Sequence, residues 1–231
     1  MGASGLVERS EELAILTQAA RALVDGAGRF VNLVGEAGAG KTSLMAATAD
    51  RLEHHGVSVR TAAADETSRH RPWAVAAGLF PEVPLADAGP DPIGTALDVL
   101  ERAAAVNPVA LMADDAHWAD DASLDLLGAV ARRARTLGVL LVTSTRPHPV
   151  PHRLRRMEET TAAAGLRIDL RPLSPEAVAA LVEARMGAPP GPKLSAWLAE
   201  AAGNPFLAVE LPASLAAEHR LVVEDGLVDV S

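Results

Sequence analysis

Short apolar runs alternate with amphipathic stretches from residue 8 to residue 170. Leu13, Leu16, Ala20 and Leu23 fall on one stripe at helical spacing and predict a helix over 8–24. Strands are expected at 29–34, 57–62, 109–113, 139–145 and 166–170, with helices at 41–54, 72–80, 93–105 and 123–136 between them. Such alternation predicts a parallel sheet covered on both faces. Pro81-Glu82-Val83-Pro84 and Ala88-Gly89-Pro90-Asp91-Pro92 interrupt the long connection before the third strand. Past residue 173 the pattern turns helical, at 175–186, 193–202 and 205–218, and Ser174-Pro175-Glu176 is a helix start with serine as cap and proline in the first turn. A boundary near Arg171 is therefore expected, giving an α/β core over 1–171 and a helical lid over 172–219. Residues 220–231 read as two short strands around Glu224-Asp225-Gly226 and open a following segment.

Composition narrows the class. A chain of 231 residues, 49% hydrophobic and 22% charged, can bury a substantial core. Its net charge of −9 argues against direct nucleic-acid contact by this segment, since such surfaces are basic. The absence of cysteine removes disulfide and thiol chemistry. No apolar run approaches the roughly 20 residues that span a bilayer, and the N-terminus lacks a leader pattern, so no membrane partner and a cytoplasmic location are expected.

The chemistry concentrates first at Gly35-Glu36-Ala37-Gly38-Ala39-Gly40-Lys41-Thr42, which fits the phosphate-binding pattern G-x-x-x-x-G-K-[ST] at every fixed position. Its surroundings fit too: an apolar run precedes it and a helix-forming stretch begins at Ser43. Glycines let successive backbone N–H groups turn toward phosphates, and the helix adds the positive end of its dipole. Lys41 supplies a point charge and the Thr42 hydroxyl a magnesium ligand. Residues 35–43 are thus the expected binding segment for ATP or ADP with Mg2+. No Asn-Lys-x-Asp guanine-reading pattern occurs, which favours adenine.

Magnesium bound among phosphates needs a second acidic element. Val109-Ala110-Leu111-Met112-Ala113 ends in Asp114 and Asp115. A strand ending there puts Asp114 at the carboxyl edge of the sheet, where ligands bind in open α/β folds, and makes it the second expected metal ligand. Asp115 is then the candidate to orient or deprotonate the attacking water. Asp120 and Asp121 read as caps of the next helix. His117 and Trp118 read as a loop residue and a packing residue, His148 and His152 as loop residues beside prolines, and Arg153, Arg155 and Arg156 as a solvated face.

Asp114-Asp115-Ala116-His117-Trp118-Ala119-Asp120-Asp121-Ala122-Ser123-Leu124 resembles the extended Walker B segment of the STAND class of signal-transduction ATPases, and specifically the ATPase module of large actinobacterial LuxR-type regulators. Three further stretches are similar to landmarks of that class. Leu6-Val7-Glu8-Arg9 resembles the N-terminal segment over the adenine, with Glu8 where the pattern usually has glycine; Val7 and Arg9 become nucleotide contacts by that resemblance. Val142-Thr143-Ser144-Thr145-Arg146 resembles the sensor strand, whose closing arginine, here Arg146, faces the terminal phosphate. Gly203-Asn204-Pro205-Phe206 resembles the lid motif whose proline, here Pro205, touches the base.

The resemblance implies a P-loop NTPase fold with a five-stranded parallel sheet in the order 5-1-4-3-2, a helical lid and the start of a winged-helix-like segment. It implies Mg-dependent ATP binding with slow hydrolysis, catalysed through Lys41, Asp115 and Arg146, as a nucleotide switch in a signalling or transcription-regulating protein. Two alternatives stay open, an oligomeric AAA+-type motor or loader and a P-loop small-molecule kinase. Self-association, or contact with further domains of a longer regulator, also stays open.

Overall fold

The computed structural model describes residues 6–161 and 165–231. It divides into two compact units. One holds residues 6–10, Glu36–Leu44 and Leu170–Ser231; the other holds residues 11–35 and the described residues of 45–169.

The larger unit carries a five-stranded sheet, β1 (Arg29–Val34), β2 (Ser58–Ala63), β3 (Val109–Asp114), β4 (Val139–Thr145) and β5 (Gly165–Asp169), in the order β2-β3-β4-β1-β5. Every pairing is parallel. This is the expected order read from the opposite edge, and the strand limits fall within a residue of those the apolar runs predicted. The sequence pattern is sharp because the three central strands are covered on both faces. Val109, Leu111, Ala113, Val139 and Leu141 join one core with Phe30, while Val31, Leu33, Ala110, Met112, Leu140 and Val142 on the other face are at most 1% exposed. The edge strand β2 lacks such a run and alternates exposed with half-buried positions.

Helices α1 (Ser10–Val24), α2 (Lys41–His54), α3 (Ala74–Leu79), α4 (Pro92–Val106), α5 (Asp121–Leu137) and α6 (His152–Thr161) complete the chain up to β5. Asp120 is the N-cap of α5, as expected, and it does more. Its Oδ1 accepts from Ser123 N at 2.9 Å and Trp73 N at 2.8 Å, and its Oδ2 from Ala74 N at 3.1 Å and the Ser123 hydroxyl at 2.6 Å. One carboxylate buried at 3% exposure thereby starts both α3 and α5. Asp121 is the first residue of α5 and bonds Arg153, not the helix end.

Helix α6 corrects the reading of His152 as a loop residue, whereas Arg153, Arg155 and Arg156 are exposed, as a solvated face requires. His152 is its first residue, and Leu154, Met157 and Thr161 are buried. Arg153 bonds Asp121 at 3.0 Å and also Asp125, both on α5, so its charge is matched across two helices. Those two carboxylates, the Asp121 hydrogen bond first, hold the Arg153 guanidinium above its ordinary value against a smaller effect of burial.

The smaller unit packs α7 (Pro175–Met186), α8 (Pro192–Glu200), α9 (Pro205–Ala217) and the hairpin β6 (Leu221–Glu224) and β7 (Leu227–Val230) around Leu173, Val178, Val182, Leu194, Leu198 and Leu215. Pairing of Glu224 with Leu227 leaves Asp225-Gly226 as a two-residue turn. Both turn residues have positive φ, 51° and 76°, the geometry a right-twisted hairpin requires. Val228 and Val230 lie in the same core as the helices, and Asp229 accepts from Leu194 N at 2.7 Å, closing the start of α8. Burial pushes the Asp229 carboxyl up, but the N–H groups of Leu194, Val230 and Lys193 outweigh it and hold the group below its ordinary value.

Asp120→Ala should cost about 2–4 kcal/mol, because it strands buried N–H donors of two helices. Urea unfolding checks this. A loss equal to that of one exposed cap would contradict the double role.

Candidate functional site

Three adjacent strands of the larger unit, β3, β4 and β1, end in groups able to do chemistry. Asp114 closes β3, half-buried, and its Oδ1 accepts from the Ser144 hydroxyl and from Asp115 N at 3.0 Å. Ser144 is fully buried and its Oγ in turn accepts from Asp115 N at 2.8 Å. A serine on β4 therefore fixes both the carboxylate and the backbone after it. Sequence reading missed Ser144, since a lone serine within an apolar strand carries no pattern. Asp115 lies in the left-handed region at φ 49°, and its Oδ1 is 3.8 Å from His117 Nδ1.

His117 and Trp118 belong to a 3-10 turn over Ala116–Trp118, and His117 is 3% exposed, so it is a buried residue and not a loose loop position. Arg69 stacks over the Trp118 ring at 4.5 Å and donates to the His117 carbonyl at 3.3 Å. Arg146 follows β4 directly and is half-buried. Its Nε is buried and, among the described residues, has no hydrogen-bond partner. Asn32 of β1 bonds Thr143 at 2.9 Å, Thr145 at 3.2 Å and Glu158, a buried polar set that ties β1 to β4 and α6.

At the carboxyl end of β1, Gly35 N donates to the Thr145 carbonyl at 3.1 Å. The loop that follows belongs to the smaller unit from Glu36 on. Gly38 and Gly40 have φ of 77° and 92°, which side chains other than hydrogen adopt rarely. Lys41 opens α2, is 6% exposed and donates from Nζ to the Glu36 carbonyl at 3.0 Å. Thr42 and Ser43 are exposed in the first turn of α2.

The other expected residues of this unit have definite places. Val7 packs against the helical core. Glu8 adopts φ 53°, in the left-handed region, and its carboxylate accepts from Ser174 N at 2.7 Å. Arg9 is buried and donates to the Ala39 and Arg171 carbonyls at 3.3 and 2.6 Å. Pro205 is the first residue of α9, after the Asn204 cap.

The donor set fits magnesium held with a nucleotide. Thr42 of the smaller unit and Asp114 of the larger each carry a hard oxygen donor of the kind magnesium takes, and no group of three or more acidic, histidine or cysteine residues suited to a metal occurs among the described residues. The buried Nε of Arg146 fits an anionic group.

A family model described as an AAA ATPase domain matches residues 5–142. The chain belongs to the AAA ATPase domain family. Among solved structures, this ATPase domain is similar to the Aeropyrum pernix ORC1 protein in complex with DNA (TM-score 0.68, 20% identity, 93% of this chain and 62% of that one). It is also similar to the Aeropyrum pernix ORC2 protein in its ADPNP-ADP complexes (TM-score 0.65, 14% identity, 93% and 63%). A third similarity is to the Thermotoga maritima RuvB Holliday junction branch migration motor (TM-score 0.56, 18% identity, 91% and 64%). At these identities the likeness concerns the fold. A protein of Rhizobium meliloti (strain 1021) described as uncharacterized is 35% identical over 89 residues, 38% of this chain and 8% of that protein. The ATPase domain thus spans under two thirds of these solved chains and a small part of that relative. No helix among its described residues is long and apolar enough to cross a membrane.

Ser144→Ala removes the hydroxyl shared by Asp114 and Asp115 N. It should cost about 1–2 kcal/mol of stability and reduce the gain in nucleotide affinity that magnesium brings. Denaturant unfolding and titrations with and without the metal check both; an unchanged magnesium gain would contradict the role of Ser144.

Proposed function

We propose that the chain binds ATP with magnesium through residues 35–43, hydrolyses it slowly, and acts as a nucleotide switch in a signalling or transcription-regulating protein. The observation that carries the reading is the glycine-rich loop, with its left-handed Gly38 and Gly40 and the buried Lys41, in a member of the AAA ATPase domain family.

Each residue has a role that its chemistry supports. The backbone of 35–43 and the Lys41 ammonium bind the phosphates, and the Thr42 hydroxyl and Asp114 carboxylate hold the metal. Magnesium, when bound, neutralises phosphate charge and orients the terminal phosphoryl group. Asp115 accepts the proton of the attacking water, and the short reach of its side chain supports a low turnover. Arg146 stabilises charge that develops on the terminal phosphate. Val7 and Pro205 offer apolar contact to the adenine from the smaller unit.

The switch reading draws on the resemblance of the Walker B segment and of Gly203-Asn204-Pro205-Phe206 to the STAND class and to LuxR-type regulators. In that reading 1–171 is the nucleotide core, 172–219 the lid, and 220–231 leads into a further segment of a longer regulator. The RuvB likeness favours an oligomeric motor as the second reading. An ATP-dependent hexamer in light scattering would favour the motor, and a chain that stays monomeric or dimeric with ATP would favour the switch.

Lys41→Ala should lower ATP affinity at least tenfold, the scale of one charge-assisted bond, with the fold retained. Calorimetry with an unchanged affinity would overturn the binding reading. Asp114→Asn should abolish the magnesium dependence of binding, whereas Asp115→Asn should spare binding and slow turnover. Equal loss of binding in both variants would contradict the division of roles.

A further inference from the structure

A loop that turns its N–H groups toward phosphates sends its carbonyls the other way, where they can accept from donors elsewhere in the chain. In the smaller unit three consecutive carbonyls of the loop find them in residues remote in sequence. Ala37 O accepts from Asn204 Nδ2 at 2.8 Å, Gly38 O from Phe206 N at 3.2 Å, and Ala39 O from Arg9 Nη2 at 3.3 Å. The fourth, Glu36 O, accepts from Lys41 Nζ at 3.0 Å and Ala39 N at 3.2 Å.

We propose that Asn204, supported by Arg9 and the Phe206 N–H, is a positioning residue that clamps the outer carbonyls of the phosphate loop, so that the start of α9 sets and reads the loop's conformation. The proposal deepens the nucleotide-binding reading and rests on it for its effect on ATP.

Asn204 serves two structures at once. Its Oδ1 accepts from Phe206 N at 3.0 Å and Leu207 N at 3.3 Å and so caps α9, which leaves the amide nitrogen aimed at the loop. This pattern fixes the orientation of the amide, since a reversed group would set its NH2 against two N–H donors. The fit is close enough to exclude a methyl group: a Cβ on Gly38 would lie 2.5 Å from Asn204 Oδ1 and 2.7 Å from Phe206 Cβ. Gly38 is thus required by its contact with the α9 start as well as by its own positive φ. Arg9 adds a second tie, because the same Nη2 reaches the Arg171 carbonyl at 2.6 Å, just ahead of α7. Pinning the carbonyls orders the N–H groups on the same peptides, and coupling of this kind is reciprocal: a ligand that orders the loop tightens the clamp by the same factor.

The alternative is that Asn204 is a helix cap and no more. Asn204→Asp separates the two, because aspartate caps a helix as well as asparagine but cannot donate to Ala37 O and places a negative oxygen against it. In the full chain, Asn204→Asp should keep the unfolding midpoint near that of the parent and weaken ATP binding about tenfold in calorimetry. It should also speed amide hydrogen exchange of 36–42 without nucleotide while leaving 175–186 unchanged. Asn204→Ser, a shorter cap that cannot reach the loop, should do the same. Parental ATP affinity together with parental exchange of 36–42 in both variants would overturn the clamp. If the parent itself binds no ATP, the nucleotide reading fails, and the exchange of 36–42 without nucleotide still decides whether the clamp exists.

Discussion

The outward carbonyls of the phosphate loop are the constraint on which the arrangement of the smaller unit turns. Residues 37–39 reach from the left-handed Gly38 toward Asn204, Phe206 and Arg9, and each of those residues is placed by something else. Asn204 is fixed by its duty as cap of α9 and Arg9 by the Arg171 carbonyl. The turn before α9 is set by Gly203, where a Cβ would lie 2.3 Å from the Leu173 carbonyl. A hydrogen bond of this kind is worth only about 1 kcal/mol net, so three of them do not build the fold. They choose which of several loop conformations the fold presents.

The larger unit solves a different problem. Its central strands are apolar on both faces, so polar groups can appear cheaply only where the strands end or where partners lie across the ladder. Asp114 and Arg146 occupy strand ends, and Asn32, Thr143 and Thr145 satisfy one another across β1 and β4. Ser144 stands between these cases. It is buried within the strand, yet its hydroxyl is used twice, by Asp114 and by the N–H of Asp115. The left-handed turn at Asp115 then sends the chain into the His117–Trp118 turn under Arg69. An aspartate followed by a fixed backbone suits the metal role proposed for Asp114, because such a ligand would lose little freedom on binding.

Where a single element carries its own pattern, the sequence was legible. Doubly covered strands read as apolar runs, Asp120 as a cap and Asp225-Gly226 as a hairpin turn, because each depends on residues within a few positions. Helix α6 was not legible: only Leu154, Met157 and Thr161 of it are buried, too few to mark an apolar stripe among its charged positions. Asn204 stood out only as part of the Gly203-Asn204-Pro205-Phe206 stretch, and Arg9 only as a nucleotide contact implied by resemblance. Their bonds to the loop span 167 and 30 positions, and no local periodicity records a side chain that meets a carbonyl so far away. Ser144 was missed for the same reason, its partner lying 30 positions back.

The central claim is that nucleotide held by residues 35–43 is felt at the start of α9. Amide hydrogen exchange of the full chain, compared without nucleotide and with ATP and magnesium, tests it most directly. The account predicts slower exchange in 36–42 and, with it, in the first turns of α9 from Phe206 onward, with the far half of the smaller unit unaffected. Protection confined to 36–42, or none at either place, would contradict it.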